Sequence, residues 1–202
     1  MRLMHPTRLR RATLADLNAV YRLETAGFVP GIVEEQAVFA RRIAAFPEGF
    51  LVLESDAGDR EAAGAGAPRA LLGYFCAEIW SAVVPRDRGQ PDWPVERFHL
   101  NHDIGRFLDR AGSVLYNASM TVDPACRGSG LGRRLFGQAI NHLCGDFPAL
   151  RQAVLIVNEH WAGARAIYAD AGFAVTGCLE GFFQPQVGPI GAAIMMERAL
   201  PL

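Results

Sequence analysis

Apolar and polar positions follow two different periods along this chain. Short segments rich in β-branched and aromatic residues, bounded by turn residues, predict seven strands at residues 7–12, 50–54, 70–80, 113–122, 152–157, 173–179 and 192–198. Apolar residues at helical spacing predict four helices at residues 14–23, 33–45, 131–143 and 161–171. The pattern therefore predicts a mixed fold of helices and strands, and no internal repeat interrupts it.

Two segments lack a regular period. Residues 55–69 consist mainly of Asp, Gly and Ala, which favours a hairpin loop between two strands over a linker between domains. Residues 81–112 carry prolines and charged turn residues, and so long a loop in a compact domain usually has a function. We interpret residues 81–112 as a flap on the substrate side.

Composition restricts the class of protein. The chain has 202 residues, of which 50% are apolar, and this suffices for one core, so we expect a single domain over residues 1–202. Lysine plus arginine total 20 against 21 acidic residues, and this balance argues against a nucleic-acid partner. All the basic residues are arginine, which excludes P-loop and Schiff-base chemistry that needs a lysine.

The expected compartment follows from the cysteines and the apolar runs. Four cysteines stand far apart without a C-x-x-C pair, which favours reduced thiols. The first residues lack an apolar leader, and prolines and glutamines interrupt the longest uncharged stretch. We expect a cytoplasmic protein with no membrane partner.

Residues 120–135 hold the most informative motif, in which a strand and a turn lead through a glycine-rich loop into an amphipathic helix. Glycines allow backbone N–H groups to approach a phosphate, and the helix N-terminus adds partial positive charge. The dinucleotide motif G-x-G-x-x-G does not fit, because Arg133 or Leu135 stands where its last glycine belongs. The alternative is that these glycines only shape a turn.

The spacing Arg127-x-x-Gly130-x-Gly132 resembles the acetyl-CoA pyrophosphate loop of the GNAT superfamily of N-acetyltransferases. The later residues Val157–Asn158, Ala164, Ile167–Tyr168 and Gly172–Phe173 are similar to the second half of that family, and residues 10–17 are similar to its opening. The resemblance implies an α/β (α+β) fold with a mixed, mostly antiparallel sheet of about seven strands flanked by helices. A splayed parallel strand pair would hold the cofactor.

The resemblance also implies acetyl-CoA as the co-substrate and assigns residues to it. The backbone of Met120, Thr121 and Val122 would pair with the pantetheine arm, and Asn158 would contact the cofactor from the next strand. Trp161 stands where many members have a second asparagine. The residues implied to hold the pyrophosphate are Arg127, Gly128, Ser129, Gly130, Leu131, Gly132 and Arg133.

Tyr168 occupies the family position of the acid that protonates the leaving thiolate, and a tyrosine is protonated at neutral pH. The alternative for Tyr168 is core packing beside Ile167. A base is also needed, because an alkylammonium of pKa near 10.4 is rarely neutral at pH 7. Glu24 and Glu78 are the candidates, acting through a water molecule, and solvated carboxylates are the alternative for both.

The sequence does not assign one definite role to several other polar residues. Tyr116, Asn117 and Ser119 precede the loop and are candidates to order water or amine. Partners for a substrate ammonium group include Glu34, Glu35, Glu78 and Asp103.

Residues 46–50 and the His102–Asp103 pair resemble the aralkylamine N-acetyltransferase branch, but Tyr116 and Ala118 stand where that branch has histidines. His99, His102 and Asp103 are too few for a metal site, and we expect surface histidines and no metal. Cys126 is interpreted as a small filler rather than a nucleophile.

The expected function is transfer of the acetyl group of acetyl-CoA to an amine by direct attack. The acceptor would be a small amine or a peptide N-terminus, where a closed pocket favours the first and a shallow groove beside residues 81–112 favours the second. The alternative is a non-catalytic module that binds or senses acyl-CoA. Dimers are common among proteins of this resemblance, which is therefore compatible with a homodimer.

Overall fold

The computed structural model describes residues 7–55, 70–82 and 93–200. Within them, seven strands form one sheet in the order β1-β2-β3-β4-β5-β7-β6. Neighbouring strands are antiparallel except for the parallel pair β4 and β5, which confirms the mixed, mostly antiparallel sheet. The strands are β1 (Thr7–Arg11), β2 (Phe50–Ser55), β3 (Leu71–Trp80), β4 (Val114–Val122), β5 (Gln152–Asn158), β6 (Ala174–Phe183) and β7 (Gly191–Ala199).

Helices flank the sheet at the predicted places, with some changed ends. The second helix begins at residue 36 instead of 33, because Glu35 still has an extended backbone and is the N-cap of the helix. Strand β6 continues to Phe183, beyond the predicted residue 179. The antiparallel pairing of β2 with β3 confirms the predicted hairpin, although most of its loop lies outside the described residues. The helices are α1 (Leu17–Gly27), α2 (Gln36–Ala45), α3 (Leu131–Asp146) and α4 (Ala162–Asp170).

The start of the first helical segment is fixed by a capping box. Thr13 has an extended backbone and precedes a short 3-10 turn that runs directly into α1. Both the amide and the hydroxyl of Thr13 donate to Asp16 Oδ2, at 2.8 and 3.0 Å. Arg10 adds two hydrogen bonds of 2.8 Å to the same carboxylate. The Asp16 carboxylate thus satisfies the Thr13 amide, a backbone donor that the helix start otherwise leaves free.

The core lies on both faces of the sheet. Leu51 and Leu53 of β2 pack in the cluster that includes α3 and α4, while Phe50 and Val52 pack in the cluster that includes α1 and α2. Successive strand residues point to opposite faces, so a strand covered on both sides needs an unbroken apolar run. This accounts for the sequence pattern of β2 and places helices on both faces of the sheet.

The parallel strands separate halfway along their length. Pairing between β4 and β5 covers only residues 114–117 and 152–155. At the same point β4 carries a bulge. Cys76 of β3 pairs with Ser119 and the next residue, Ala77, pairs with Asn117, so Ala118 has no partner on β3. Residues 118–122 therefore have no strand partner on the β5 side among the described residues. No helix within the described ranges is long and apolar enough to cross a membrane.

Candidate active site

A cleft of about 620 Å³ opens where β4 and β5 separate. Its walls come from the end of α1, the free edge of β4, the glycine loop, β5, α4 and the end of β6. Of the residues predicted to be catalytic or to bind the cofactor, Glu78, Ser129 and Asn158 are not among those that line this cleft. The catalytic and cofactor-binding candidates that do line it are Glu24, Met120, Thr121, Val122, Arg127, Gly128, Gly130, Leu131, Gly132, Arg133 and Tyr168.

The glycine loop has a backbone that requires glycine. Gly128 and Gly130 have φ of +75° and +83°, and a Cβ built on either would meet no atom within 4 Å. These two glycines are thus needed for backbone conformation rather than for space. Gly132 differs, since its Cβ would lie 3.1 Å from Ile167 Cδ1, and this tight contact between helices favours a small residue. The first turn of α3 follows Gly130 directly, so its free amides are set against the cleft.

The two predicted loop arginines are placed differently. Arg127 Nη2 donates to Gly27 O at 3.2 Å, which brings its guanidinium to the C-terminal end of α1 beside the cleft. Arg133 is exposed and forms an ion pair with Asp170. The charge of Arg133 is therefore shared with a carboxylate.

Ser129 and Asn158 stabilise the surrounding backbone. Ser129 Oγ donates to Cys126 O at 2.6 Å and holds the glycine loop in shape. Asn158 is buried, and its Oδ1 accepts from His160 N at 2.9 Å at the turn before α4. Asn158 is not among the residues that line the cleft, and its contact with the cofactor stays a prediction.

Tyr168 belongs to both the core and the cleft. Its ring packs edge-on against Phe136 with 5.0 Å between centroids, and its side chain also lines the cleft. Burial raises the pKa of Tyr168 to about 12, and the Asn117 side chain acts in the opposite direction. Asn117 lines the cleft too, and its buried Oδ1 has no hydrogen-bond partner among the described residues. A buried acceptor without a partner is uncommon, and Asn117 Oδ1 can accept a hydrogen bond from a molecule in the cleft.

Glu24 is the centre of a small polar network. Tyr74 Oη donates to Glu24 Oε2, and the same hydroxyl lies 2.7 Å from Ser119 Oγ. Glu24 Oε1 accepts from the backbone amide of Glu34 at 2.9 Å. Glu24, Ser119 and Glu34 all line the cleft. The network thus joins the Glu24 carboxylate to the Ser119 hydroxyl, and both residues line the cleft.

The pKa of Glu24 is raised to about 7. Burial is the largest cause, because only 1% of the residue is exposed and the charged form loses its hydration. The hydrogen bonds from Tyr74 and from the Glu34 amide act in the opposite direction. A carboxyl group whose pKa lies near 7 has the proton affinity that a general base needs at neutral pH.

Glu78 lies behind the cleft rather than in it. It is fully buried, accepts from Trp80 Nε1 at 2.9 Å, and lies 2.7 Å from His102 Nε2. Arg42 Nε is 3.5 Å from the same carboxylate. Glu78 therefore lies in the core and is not among the residues that line the cleft. The expectation that His102 is a surface residue is wrong, since it is 9% exposed.

Arg42 connects this buried group to the cleft. Its Nη1 donates to Glu34 Oε1 at 3.1 Å, and Glu34 in turn presents its amide to Glu24. Arginines on an amphipathic helix are usually solvated, so nothing in the sequence pattern distinguishes Arg42 from a surface residue. Tyr74 was missed in the same way, because an aromatic residue on a strand normally predicts core packing.

Aromatic and aliphatic side chains surround the end of the cleft beside Glu24. Phe98 and Leu100 belong to the predicted flap, of which residues 83–92 lie outside the described ranges. The Phe28 and Trp161 rings are 5.3 Å apart, and the Trp161 and Phe183 rings 5.5 Å. The other apolar residues at this end are Ile32, Ile156 and Phe182.

Comparisons with known proteins identify the fold. No family model and no curated protein matches the sequence. Among solved structures, the GphF GNAT-like decarboxylase in complex with isobutyryl-CoA matches with a TM-score of 0.70 at 18% identity, over 95% of this chain and 98% of that one. The ribosomal-protein-S18-alanine N-acetyltransferase from Escherichia coli matches with a TM-score of 0.64 at 16% identity, over 98% and 96%.

A third structure was solved with a cofactor. The GNAT superfamily phosphinothricin acetyltransferase from Sinorhizobium meliloti, in complex with acetyl-CoA, matches with a TM-score of 0.62 at 17% identity, over 96% of this chain and 88% of that one. Together these likenesses show that the chain has the GNAT fold.

Proposed function

We propose that this protein transfers the acetyl group of acetyl-CoA to an amine by direct attack. One observation carries the proposal: a carboxyl group with a pKa near 7, Glu24, and a protonated phenol, Tyr168, line one cleft where the sheet splits. Two of the similar structures are named acetyltransferases, and two hold an acyl-CoA, which supports the reaction class and the co-substrate.

The residues of the cleft fit acetyl-CoA, which supplies the acetyl group as a thioester. The glycine loop and the first turn of α3 offer backbone amides to a pyrophosphate, and Arg127 adds positive charge. The unpaired edge of residues 118–122 offers strand-like hydrogen bonds to the amides of a pantetheine arm. Asn117 Oδ1, buried and without a partner among the described residues, is an acceptor for one further N–H.

Glu24 removes the proton that the attacking amine must lose. At pH 7 about one alkylamine in a few thousand is neutral, so a base close to the nitrogen increases the reactive fraction. Glu24 is partly ionised at this pH because its pKa is about 7. Ser119, which touches the Tyr74 hydroxyl and lines the cleft, offers a second polar contact for the amine or for a bridging water.

Tyr168 stabilises the leaving sulfur. As the nitrogen bonds to the carbonyl carbon, the carbon–sulfur bond breaks and negative charge develops on sulfur. Full transfer of the phenolic proton is uphill, because the pKa of Tyr168 is about 12 while that of a thiol is about 8.5. Tyr168 therefore acts mainly by donating a hydrogen bond to the developing thiolate, and backbone amides of β4 stabilise the carbonyl oxygen.

The test is release of free CoA thiol from acetyl-CoA in the presence of an amine panel. We expect release that depends on amine, with the acetylated amine detected by mass spectrometry. Saturable acetyl-CoA binding without thiol release for any amine would contradict the proposal and favour the alternative of a non-catalytic acyl-CoA-binding module.

The likeness to a decarboxylase raises a second candidate reaction, loss of CO₂ from a carboxylated acyl-CoA. Glu24 and Glu34 both line the cleft, and the Glu34 carboxylate is paired with Arg42. Ionised Glu24 repels a nearby acyl carboxylate, so this site favours an ammonium group over a carboxylate. We therefore expect no CO₂ release from malonyl-CoA.

A further inference from the structure

Three side chains connect the cleft to the buried carboxylate of Glu24. Ser119 Oγ lies 2.7 Å from Tyr74 Oη, and Tyr74 Oη donates to Glu24 Oε2. Tyr74 is fully buried and Glu24 is 1% exposed, whereas Ser119 is only partly buried and lines the cleft. Ser119 is therefore the member of this set that a molecule in the cleft reaches first. We call Ser119, Tyr74 and Glu24 the hydroxyl relay.

The two carboxylate oxygens of Glu24 have different partners. Oε1 accepts from the backbone amide of Glu34 at 2.9 Å, and an amide N–H can only donate. Oε2 faces the Tyr74 hydroxyl, which can either donate or accept a hydrogen bond. Oε2 is therefore the oxygen placed to take up a proton, and Tyr74 is the group placed to deliver it.

The charge of Glu24 sets the direction of both hydrogen bonds in the relay. An ionised carboxylate can only accept, so ionised Glu24 accepts from Tyr74. The proton of Tyr74 is then engaged, so Tyr74 Oη accepts from Ser119, and the remaining lone pairs of Ser119 Oγ are available to an N–H group in the cleft. When Glu24 is protonated on Oε2, both bonds reverse and Ser119 becomes a donor toward the cleft.

We propose, on the basis of the acetyl transfer proposed above, that Ser119 contacts the acceptor nitrogen and that the proton of this nitrogen is passed to Glu24 through Tyr74. The ammonium nitrogen gives a proton to Ser119 Oγ, Ser119 gives its own proton to Tyr74 Oη, and Tyr74 gives its own to Glu24 Oε2. Each hydroxyl gains one proton and loses one, so only the nitrogen and Glu24 change their charge. Ser119 is then a catalytic residue, and Tyr74 is a positioning residue that acts through it.

The surroundings of Tyr74 suit a residue that passes a proton on without keeping a charge. Burial raises the pKa of Tyr74 well above its ordinary value, so a free phenolate at this position is costly. The relay avoids this state, because Tyr74 receives one proton as it gives up another. The Tyr74 ring lies 5.5 Å from the Phe39 ring and 5.8 Å from the Phe50 ring, and this packing holds its hydroxyl between Ser119 and Glu24.

A pair of amines that differ in basicity tests the relay. Butylamine is almost entirely an ammonium ion at pH 8, whereas the fluorines of β,β-difluorobutylamine withdraw electrons and leave most of it neutral. Initial rates of CoA thiol release from acetyl-CoA give kcat/KM for each amine in the wild type, Ser119→Ala and Tyr74→Phe. A neutral amine needs no proton removed before it attacks. We therefore expect both variants to lower kcat/KM about 100-fold for butylamine and less than about fivefold for the fluorinated amine.

Two further variants separate proton transfer from structure. Ser119→Thr retains a hydroxyl, so we expect its kcat/KM for butylamine to exceed that of Ser119→Ala at least about tenfold. Tyr21→Phe is the matched control for Tyr74→Phe, because it removes a phenol that packs against the same apolar cluster and lies outside the relay. We expect wild-type rates for Tyr21→Phe. Urea unfolding and calorimetric titration of acetyl-CoA check that each variant is folded and binds the cofactor.

The outcomes distinguish the relay from the proposed function. Equal losses for the two amines would show that Ser119 and Tyr74 only maintain structure and would overturn the relay, and so would wild-type rates in folded Ser119→Ala and Tyr74→Phe. Thiol release by the wild type with neither amine would also overturn it. Acetyl transfer itself stands in that case if other amines of the panel are acetylated, and it is contradicted if none is.

Discussion

At the scale of single residues, burial changes what the same carboxyl group can do. Glu24 and Glu78 were equivalent candidates in the sequence, yet only Glu24 lines the cleft, while Glu78 is enclosed with Trp80 and His102. Sequence pattern places a residue on a helix or a strand, but it does not show which of two buried carboxylates faces a cavity. That distinction depends on how the strands separate, which is a tertiary property.

Glu24→Gln should change how stability depends on pH. Because the pKa of Glu24 rises from its ordinary 4.5 to about 7 on folding, the wild type loses roughly 3 kcal/mol as pH rises between these values. The neutral amide does not ionise, so the variant should gain stability relative to the wild type between pH 4.5 and 7. Urea unfolding of both proteins at pH 5 and pH 8 measures the change in the free energy of unfolding. An equal change in the wild type and in Glu24→Gln would contradict the raised pKa of Glu24.

Tyr168→Phe should lower kcat about 100-fold while leaving the Kd for acetyl-CoA unchanged. The phenyl ring keeps the packing against Phe136, so only the hydroxyl at the cleft is lost. Steady-state rates of thiol release give kcat, and calorimetric titration gives the Kd for acetyl-CoA. A loss below threefold, with cofactor binding intact, would mean that Tyr168 is only a core residue.

At the scale of elements, the apolar pattern predicted the seven strands and four α-helices of the described residues in order, because most of them bury at least one face and so keep their period. The residues at which strands and helices end were harder to predict from the sequence. Strand β6 extends to Phe183 because its last residues pair with the start of β7, and a pairing between distant residues leaves no local pattern. The cluster of Arg42 with His102 was invisible for the same reason.

Asp16→Asn should lower the free energy of unfolding by about 1 kcal/mol. The change weakens the capping box with Thr13 and the paired hydrogen bonds from Arg10, which hold the pKa of Asp16 near 2. Asp170→Asn is the matched control, because its exposed ion pair with Arg133 should contribute less than about 0.5 kcal/mol. Equal losses in the two variants by urea unfolding would argue against the cap.

At the scale of the whole molecule, one buried arginine ties separate parts of the chain together. Arg42 of α2 contacts Glu34 before that helix, Glu78 of β3 and His102 of the predicted flap. Asn101 adds a contact between the flap and the same region, since its Oδ1 accepts from the Glu35 amide at 2.8 Å. The wall of the cleft beside Glu24 is therefore anchored to the core through charges.

Arg42→Met should cost about 3–5 kcal/mol, because Glu34 and Glu78 would be left buried without their shared cation. Arg41→Met changes the adjacent, exposed arginine and should cost less than about 0.5 kcal/mol. Thermal and urea unfolding of both variants measure the difference. A loss for Arg42→Met as small as that of the control would show that the cluster does not stabilise the fold.

The most direct test of the central claim is calorimetric titration of acetyl-CoA into the wild type, Ser129→Gln and Ser129→Glu. Both variants remove the hydroxyl contact to Cys126, but only Ser129→Glu places a negative charge in the loop proposed to hold the pyrophosphate. We predict micromolar binding to the wild type and to Ser129→Gln, and binding about tenfold weaker for Ser129→Glu. Absence of binding to the folded wild type would contradict the account, because the glycine loop would then be only a turn.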